Sequence, residues 1–445
     1  MERRDFEKGL HLKYWKRCLK SLLPVEYTSN DSSRMALGFF ILSALDLLGE
    51  GVNTFPLEEK KDIRDWIIKC QHPNGGFCGS PNHRFPDKYY TDLGENCSKR
   101  EVDPANLPAT YFAILSLGLV GDLRRVERMK CLRWLKKLQR EDGSFGELLT
   151  PEGNIWGGRD MRYCYVAAAI RWILGGDLED SDNDINVKSL VQHIRSGQVG
   201  LDTSVFFDIQ TLLTSAKTFD GGISESSQHE AHAGYTYCAI ATLSLINRLP
   251  SSTGNITDPS LGVCNIPEIL RWLVSRQVGY QAPEDDENVG EKIAGIDINP
   301  QEIYLEQTYM KNDFLVGNKE YVGFNGRCNK RVDTCYAFWV IASINLLCVD
   351  KVDLVDKLKT RQFLIEQTQY RIGGFGKSPG DPPDIYHSYL GLAALALNEE
   401  PNIKKLDPAL CVSVEQKNQI IRIRDGLLVP KRLYWRHGYC FCEPV

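Results

Sequence analysis

Between Gly326 and Tyr336 the chain reads Gly-Arg-Cys-Asn-Lys-Arg-Val-Asp-Thr-Cys-Tyr, and Tyr386-His387 follows in the next stretch of similar pattern. Asp333, Cys335 and His387 offer a carboxylate, a thiolate and an imidazole. Zinc takes all three, and a catalytic zinc site uses three protein ligands and leaves a fourth position for substrate. Arg327 and Lys330 stand close by, where a guanidinium fork and a point charge suit a phosphate-bearing leaving group. A metal beside an anion pocket implies group transfer. Taken singly, each residue has a blander meaning: Asp333 as a helix cap, Cys335 as core, Arg327 and Lys330 as a solvated pair. An offset of two does not share a helix face, so Asp333 and Cys335 fit the start of a helix better than its interior.

The elements that would position these residues repeat along the chain. A glycine turn recurs at Asn74-Gly75-Gly76-Phe77, Glu141-Asp142-Gly143-Ser144-Phe145, Asp220-Gly221-Gly222-Ile223, Val322-Gly323-Phe324 and Ile372-Gly373-Gly374-Phe375, several times with a Gln shortly before it (Gln71, Gln139, Gln369). Apolar segments of helical length follow: Ala109 to Leu119, Tyr163 to Leu174, Tyr235 to Ile246, Tyr336 to Leu347 and Tyr389 to Leu397, with Met35 to Leu48 near the start. Apolar on all sides, they predict buried helices. The stretches Lys61 to Cys70, Arg125 to Leu138, Pro267 to Arg276 and Lys357 to Gln367 are amphipathic and suit an outer layer. Six inner helices alternating with outer ones describe an all-α fold, an α/α toroid. The inner helix starts would line its funnel, bringing Arg162, His232, Asp333, Cys335 and His387 into one cavity. Residues 1–445 then form a single barrel, with residues 281–320, which contain Glu284-Asp285-Asp286-Glu287, as an acidic insertion loop.

Composition narrows the function. The 445 residues are 42% hydrophobic and 25% charged with a formal charge of -5, so no general nucleic-acid affinity is expected. The mixed-charge N-terminus does not read as a signal peptide. Met35 to Leu48 is interrupted by Asp46 and too short to span a bilayer. A cytoplasmic protein is expected, its fourteen scattered cysteines mostly buried free thiols.

The stretch Gly326 to Trp339, the motif His232-Ala233-Gly234-Tyr235-Thr236-Tyr237-Cys238 and Tyr386-His387 resemble the β subunits of the heterodimeric protein prenyltransferases, over about His11 to Leu410. Within that family the segment Ser33 to Leu48 is similar to the type I geranylgeranyl branch. The resemblance implies zinc ligands at Asp333, Cys335 and His387, one ion per β subunit, and a diphosphate set of His232, Arg327, Lys330 and Tyr336. It implies an isoprenoid tunnel of Ala36, Phe39, Phe40, Tyr235, Cys238 and Trp339. Farnesyl relatives carry Trp in place of Ala36, blocking the bottom of the tunnel, so a C20 donor, geranylgeranyl diphosphate, is expected. Lys377 stands where farnesyl enzymes place a magnesium-binding Asp, so magnesium is not expected to be required. Arg162 matches a position that orders the peptide. Tyr386 follows the farnesyl pattern, and Asn106 and Pro108 replace a His and an Ala that shape the pocket for the last residue.

The implied reaction joins the cysteine of a C-terminal CaaX motif, often with Leu last, to the lipid. Substrates would be proteins such as Rho-type small GTPases, and an obligate α subunit would complete the enzyme. Rival classes are a farnesyltransferase β subunit, a glycosidase, for which no carboxylate pair stands at the inner helix starts, a terpene synthase, whose Asp-rich motif would have to be Asp285-Asp286-Glu287, and a non-catalytic scaffold. The terminal Cys442-Glu443-Pro444-Val445 is a poor prenylation box, because Glu443 and Pro444 are not aliphatic.

Overall fold

A computed structural model describes residues 5–91, 97–178, 184–198, 221–226, 229–249, 261–263, 265–280, 321–347 and 354–428. The inner helices are α2 (Arg34–Leu47), α5 (Leu107–Val120), α7 (Met161–Ile173), α9 (Ala233–Leu245), α11 (Thr334–Leu347) and α13 (Ile385–Leu397). Each packs on the next, and α13 packs back on α2, which closes the ring. The outer layer comprises α1 (Lys8–Lys20), α3 (Leu57–Lys69), α6 (Arg128–Lys137), α8 (Val187–Gly197), α10 (Ile266–Val274) and α12 (Lys357–Gln362), the last running on into a π-helical turn, Phe363–Thr368. A short α4 (Lys99–Val102) and a closing α14 (Val414–Leu428) complete the helices. The α/α toroid expected from the sequence is the observed fold. Burial follows the patterning: in α10 Ile269, Trp272 and Leu273 are buried at helical spacing, whereas α5 is buried nearly all round.

The recurring Gln and Phe have a structural reason. In each repeat the Gln bridges to the aromatic or Ile beyond the glycines, as in Gln71 with Phe77, Gln139 with Phe145, Gln198 with Ile223 and Gln369 with Phe375. After a first short pair, β1 (Leu148–Leu149) and β2 (Ile155–Trp156), the bridge of the remaining repeat has grown into strands β3 (Gln277–Gly279) and β4 (Val322–Phe324). Phe77, Phe145, Ile223 and Phe375 are fully buried. The Gln side chains then tie each turn to the residue that opens the next outer helix: Gln71 to Glu127, Gln139 to Asn186, Gln198 to Asn265, Gln277 to Asp356 and Gln369 to Glu7. The last tie joins the final repeat to the first helix. The insert expected at 281–320 lies outside the described residues, and its two ends are the paired strands β3 and β4.

Gln369 also accepts from His11 Nε2 at 3.0 Å, while His11 Nδ1 accepts Gly374 N–H at 3.1 Å. Burial pushes the His11 pKa down to about 4, so the ring is a neutral core imidazole with its proton on Nε2. Changing Gln369 to Ala would leave the buried His11 Nε2–H unanswered, at roughly 1–3 kcal/mol, and release the more exposed Glu7 N–H. Thermal unfolding should register a loss of at least about 1 kcal/mol; an unchanged midpoint would refute the ring-closing role.

A second set of ties fixes the inner helix starts. First-turn N–H groups donate to the carbonyl two residues beyond the next repeat's Phe: Met35 to Gly79, Leu107 to Glu147, Ala233 to Gly326 and Thr334 to Lys377, at 2.8 to 3.0 Å. All inner helices therefore start at one end of the barrel. Towards the other end a hairpin of β5 (Leu406–Asp407) and β6 (Val412–Ser413) is inserted. Its turn carbonyls need donors once buried. Tyr165, Tyr237, Tyr111 and Tyr389 supply them, donating to Ala409, Pro408, Leu410 and Cys411 at 2.5 to 3.0 Å.

Candidate active site

The sequence folds the donor residues into the open end of the barrel because each belongs to the start of an inner helix. Asp333 immediately precedes α11, and its Oδ1 accepts the N–H of Cys335 at 2.8 Å. It is thus a helix cap as well as a member of a candidate metal-donor group. Cys335 lies in the first turn of α11 and His387 in the first turn of α13. One donor atom from each of Asp333, Cys335 and His387 lies within 4.8 Å of the others, and among the described residues no other His, Cys, Asp and Glu group is so close. His387 Nε2 is 3.4 Å from Asp333 Oδ1.

A residue missed in the sequence completes this cluster. Asp384 caps α13, with Oδ1 accepting His387 N–H at 2.8 Å and Oδ2 2.6 Å from His387 Nδ1. It fixes Nδ1 as the protonated nitrogen and leaves Nε2 for a metal, the arrangement in which a carboxylate orients a ligating histidine. The signal was an Asp three residues before the His at a helix start.

Electrostatics fit a cation. Burial favours neutral His387, but hydrogen bonds and charge from Asp333 and Asp384 outweigh it and push the pKa up to about 9. Burial, with the Asp333 charge, drives the Cys335 thiol well above its usual range. Both groups hold protons at pH 7 in the absence of a metal, and ligation requires neutral imidazole and thiolate. Zinc uptake should therefore release about two protons per ion at pH 7 and tighten as pH rises toward 9. Calorimetry in buffers of different ionisation enthalpy reads this number, and zero release would exclude Cys335 and His387 as ligands. Stability of the metal-free protein runs the other way. The raised His387 pKa contributes stability that is fully present below pH 6.5 and is lost as pH passes 9.

The cationic turn sits beside the cluster. Gly326 receives the N–H of Ala233, which places Arg327 at the start of α9, and Lys377 receives that of Thr334, which places it at the start of α11. His232 caps α9, Nδ1 accepting Gly234 N–H at 3.0 Å, so its proton resides on Nε2, 3.1 Å from the Tyr336 hydroxyl. Burial first, then Arg327 and Arg162, lower the His232 pKa to about 4, and burial raises the Tyr336 phenol to about 12. Both are neutral donors at pH 7. Only a glycine fits at 326, since a Cβ there would lie 2.1 Å from Tyr336 Cζ. Arg327 pairs with exposed Glu230 at 3.2 Å. Lys330 and Lys377 are exposed, and neither ammonium has a partner among the described residues.

Inside the ring an aromatic surface joins the inner helices. Phe40 stands 5.2 Å from Phe112 and 6.2 Å from Tyr386, Phe39 stands 5.1 Å from Phe112, and Tyr237 stands 5.0 Å from Trp339. Phe112 was not foreseen; its signal was a Tyr-Phe pair inside an apolar segment. Cys238 is buried within α9. Tyr235 lies under the Arg162 guanidinium at 5.8 Å and 5.0 Å from the His232 ring. Ala36, half-buried, occupies the first turn of α2. It belongs to the end of the barrel at which the inner helices start.

The residues expected to meet a peptide are dispersed. The Arg162 fork is engaged by Asp160 at 2.9 and 3.0 Å, and the Tyr386 ring packs 5.1 Å from His387. Asn106 is buried and spends its Oδ1 on capping α5, through Ala109 N–H at 2.9 Å, with Pro108 in the same turn. No contact joins Asn106 to the metal donors among the described residues.

The prenyltransferase alpha-alpha toroid domain model matches residues 6–412. The chain belongs to the prenyltransferase family. It is 31% identical to the geranylgeranyl transferase type-1 β subunit of Arabidopsis thaliana, over 91% of this chain and 88% of that one. It is also 27% identical to a protein farnesyltransferase β subunit of Pyricularia oryzae, over 87% of this chain and 62% of that one. The solved Candida albicans protein geranylgeranyltransferase-I complexed with GGPP matches with a TM-score of 0.67 at 26% identity, covering 94% of this chain and 98% of the other. The chain is therefore a β subunit of the protein prenyltransferase kind, as its motifs predict. No helix among the described residues is long and apolar enough to cross a membrane.

Proposed function

We propose that this prenyltransferase β subunit is the catalytic half of a zinc-dependent type I protein geranylgeranyltransferase, transferring a C20 group from geranylgeranyl diphosphate to the cysteine thiol of a C-terminal CaaX motif, often with Leu last. The observation that carries the reading is the convergence of Asp333, Cys335 and His387 within 4.8 Å, beside a cationic turn and an aromatic surface. Bound zinc would hold the substrate sulfur as thiolate at neutral pH. Asp333 Oδ, Cys335 Sγ and His387 Nε2 would hold the ion, and Asp384 keeps the imidazole turned toward it.

The remaining chemistry belongs to the protein. As the bond between C1 and the bridging oxygen stretches, negative charge gathers on the departing diphosphate. His232 Nε2–H and the Tyr336 hydroxyl donate to it, while Arg327, Lys330 and Lys377 neutralise it. The bond from substrate sulfur to C1 forms as the C1–oxygen bond breaks, and the diphosphate leaves with both bonding electrons. Because the Lys377 ammonium supplies a fixed charge, transfer is expected without added magnesium. Phe39, Phe40, Phe112, Tyr235 and Trp339 exclude water from the lipid and orient it. Arg162 and Tyr386 stand on the peptide side, with Asn106 and Pro108 shaping its far edge.

An α subunit, CaaX-ending substrates such as Rho-type small GTPases, and a cytoplasmic location follow from this reading. The second reading, a farnesyltransferase, is favoured by Tyr386 and by the farnesyl relative. Co-expression with candidate α subunits, followed by competition between C15 and C20 diphosphates on peptides ending in Leu, Met or Ser, separates them. Preference for the C15 donor would overturn the assignment.

A further inference from the structure

The described cysteines divide sharply. Burial raises the thiols of Cys70, Cys78, Cys131, Cys164, Cys238 and Cys411, and only Cys97 and Cys328 are exposed. Cys97 faces the Ser98 carbonyl oxygen at 3.8 Å and the acid Glu101. Cys328 faces a cation. Arg276, only 5% exposed, places Nη2 3.3 Å from Cys328 Sγ and stacks on Trp272 at 4.9 Å.

That guanidinium is incompletely answered. Among the described residues, its Nε and Nη1 are buried without hydrogen-bond partners, and Asn325 Oδ1 is likewise unanswered. A buried charge with open donors is unfavourable until an anion meets it. The sulfur of Cys328 is the exposed group already on this cation, and its turn also carries Arg327, Lys330 and Arg331.

We propose that Cys328 is a peroxide-reactive thiol whose oxidised form is held by Arg276. Sulfur attacks one peroxide oxygen, the O–O bond breaks, and the second oxygen leaves as hydroxide and takes up the thiol proton to become water. Sulfur is oxidised by two electrons and the peroxide is reduced, giving a sulfenic acid. Arg276 Nη2 already lies 3.3 Å from the attacking sulfur and can donate to the new oxygen afterwards. A thiol reductant reverses the change through a mixed disulfide. On the reading given above, Cys328 separates two cations of the diphosphate cradle, so its oxidation would reposition Arg327 and Lys330 and lower transfer.

The test uses the assembled heterodimer, treated with low hydrogen peroxide, trapped with a dimedone-type reagent and mapped by mass spectrometry. Cys328 should label at least tenfold faster than Cys97, and R276Q should slow it about tenfold while R276K retains most of the rate. Equal labelling of Cys97, or a wild-type rate in folded R276Q, overturns the proposal; the comparison with Cys97 stands even if R276Q fails to fold. Peroxide should lower wild-type transfer reversibly and spare C328S. Complete oxidation of Cys328 with full activity would refute the switch and the cradle assignment together, while the labelling rates judge the thiol's reactivity separately.

Discussion

Cys335→Ala, assembled with its α subunit, will lose its zinc and lower peptide transfer by on the order of a thousandfold or more. The magnitude follows from the position of the residue. Loss of an outer partner of a metal ligand typically lowers metal affinity or activity about 10–100-fold, and Cys335 would be a ligand itself, contributing the one sulfur of a set whose atoms lie within 4.8 Å. It is also almost fully buried, so no water readily replaces it. Without the ion, the substrate thiol returns to a pKa near 8.5 and is mostly protonated at pH 7. Asp384→Asn is the graded comparison: it leaves all three donors in place but weakens the hold on His387 Nδ1, so its loss should fall in the smaller range. Metal content by atomic spectroscopy, measured beside turnover, distinguishes a missing ion from a misfolded chain. Full activity with Ala at 335 would end the metal assignment.

Ala36→Trp will turn donor choice toward the C15 diphosphate. A lipid longer by five carbons gains about 0.8 kcal/mol for each carbon buried, roughly 4 kcal/mol in all, which corresponds to several hundredfold in selectivity. Ala36 shares a helix face with Phe40, four residues on, and Phe40 packs against Phe112 and Tyr386. An indole at 36 would project toward this aromatic surface and take up volume that the longer lipid needs. Competition between the two diphosphates, at saturating peptide, should show the C20 to C15 ratio falling by about a hundredfold. An unchanged ratio would mean that the lipid runs along another wall.

The ring of helices was legible because each inner segment is apolar on every side and each outer one on a single face, a pattern that only a two-layer helical arrangement buries throughout. The turns were legible from their glycines. Lys8–Lys20 and Val187–Gly197 escaped notice, and α1 begins without a side-chain cap. The role of the glutamines was also hidden, since each reaches to the following repeat, as Gln369 does across the whole chain to Glu7. Asp384 was overlooked for a related reason. An Asp at a helix start already has an explanation as a cap, and its second oxygen acquires meaning only when His387 is seen to turn its ring onto it.

What the sequence by itself determined was the inventory: a carboxylate, a thiol and an imidazole of zinc-binding type, a run of cations, and helices enough to close a barrel. These depend on residue identity and on spacings within one or two turns, which local backbone geometry fixes. The tertiary structure supplied the distance at which Cys335 and His387, expected to meet from separate helices, come together, and it alone decided that Lys377 stands over the start of α11. It alone placed a buried Arg276 on Cys328. Each of these depends on backbone ties between repeats, whose partners are dozens of residues apart and leave no periodic trace in the chain.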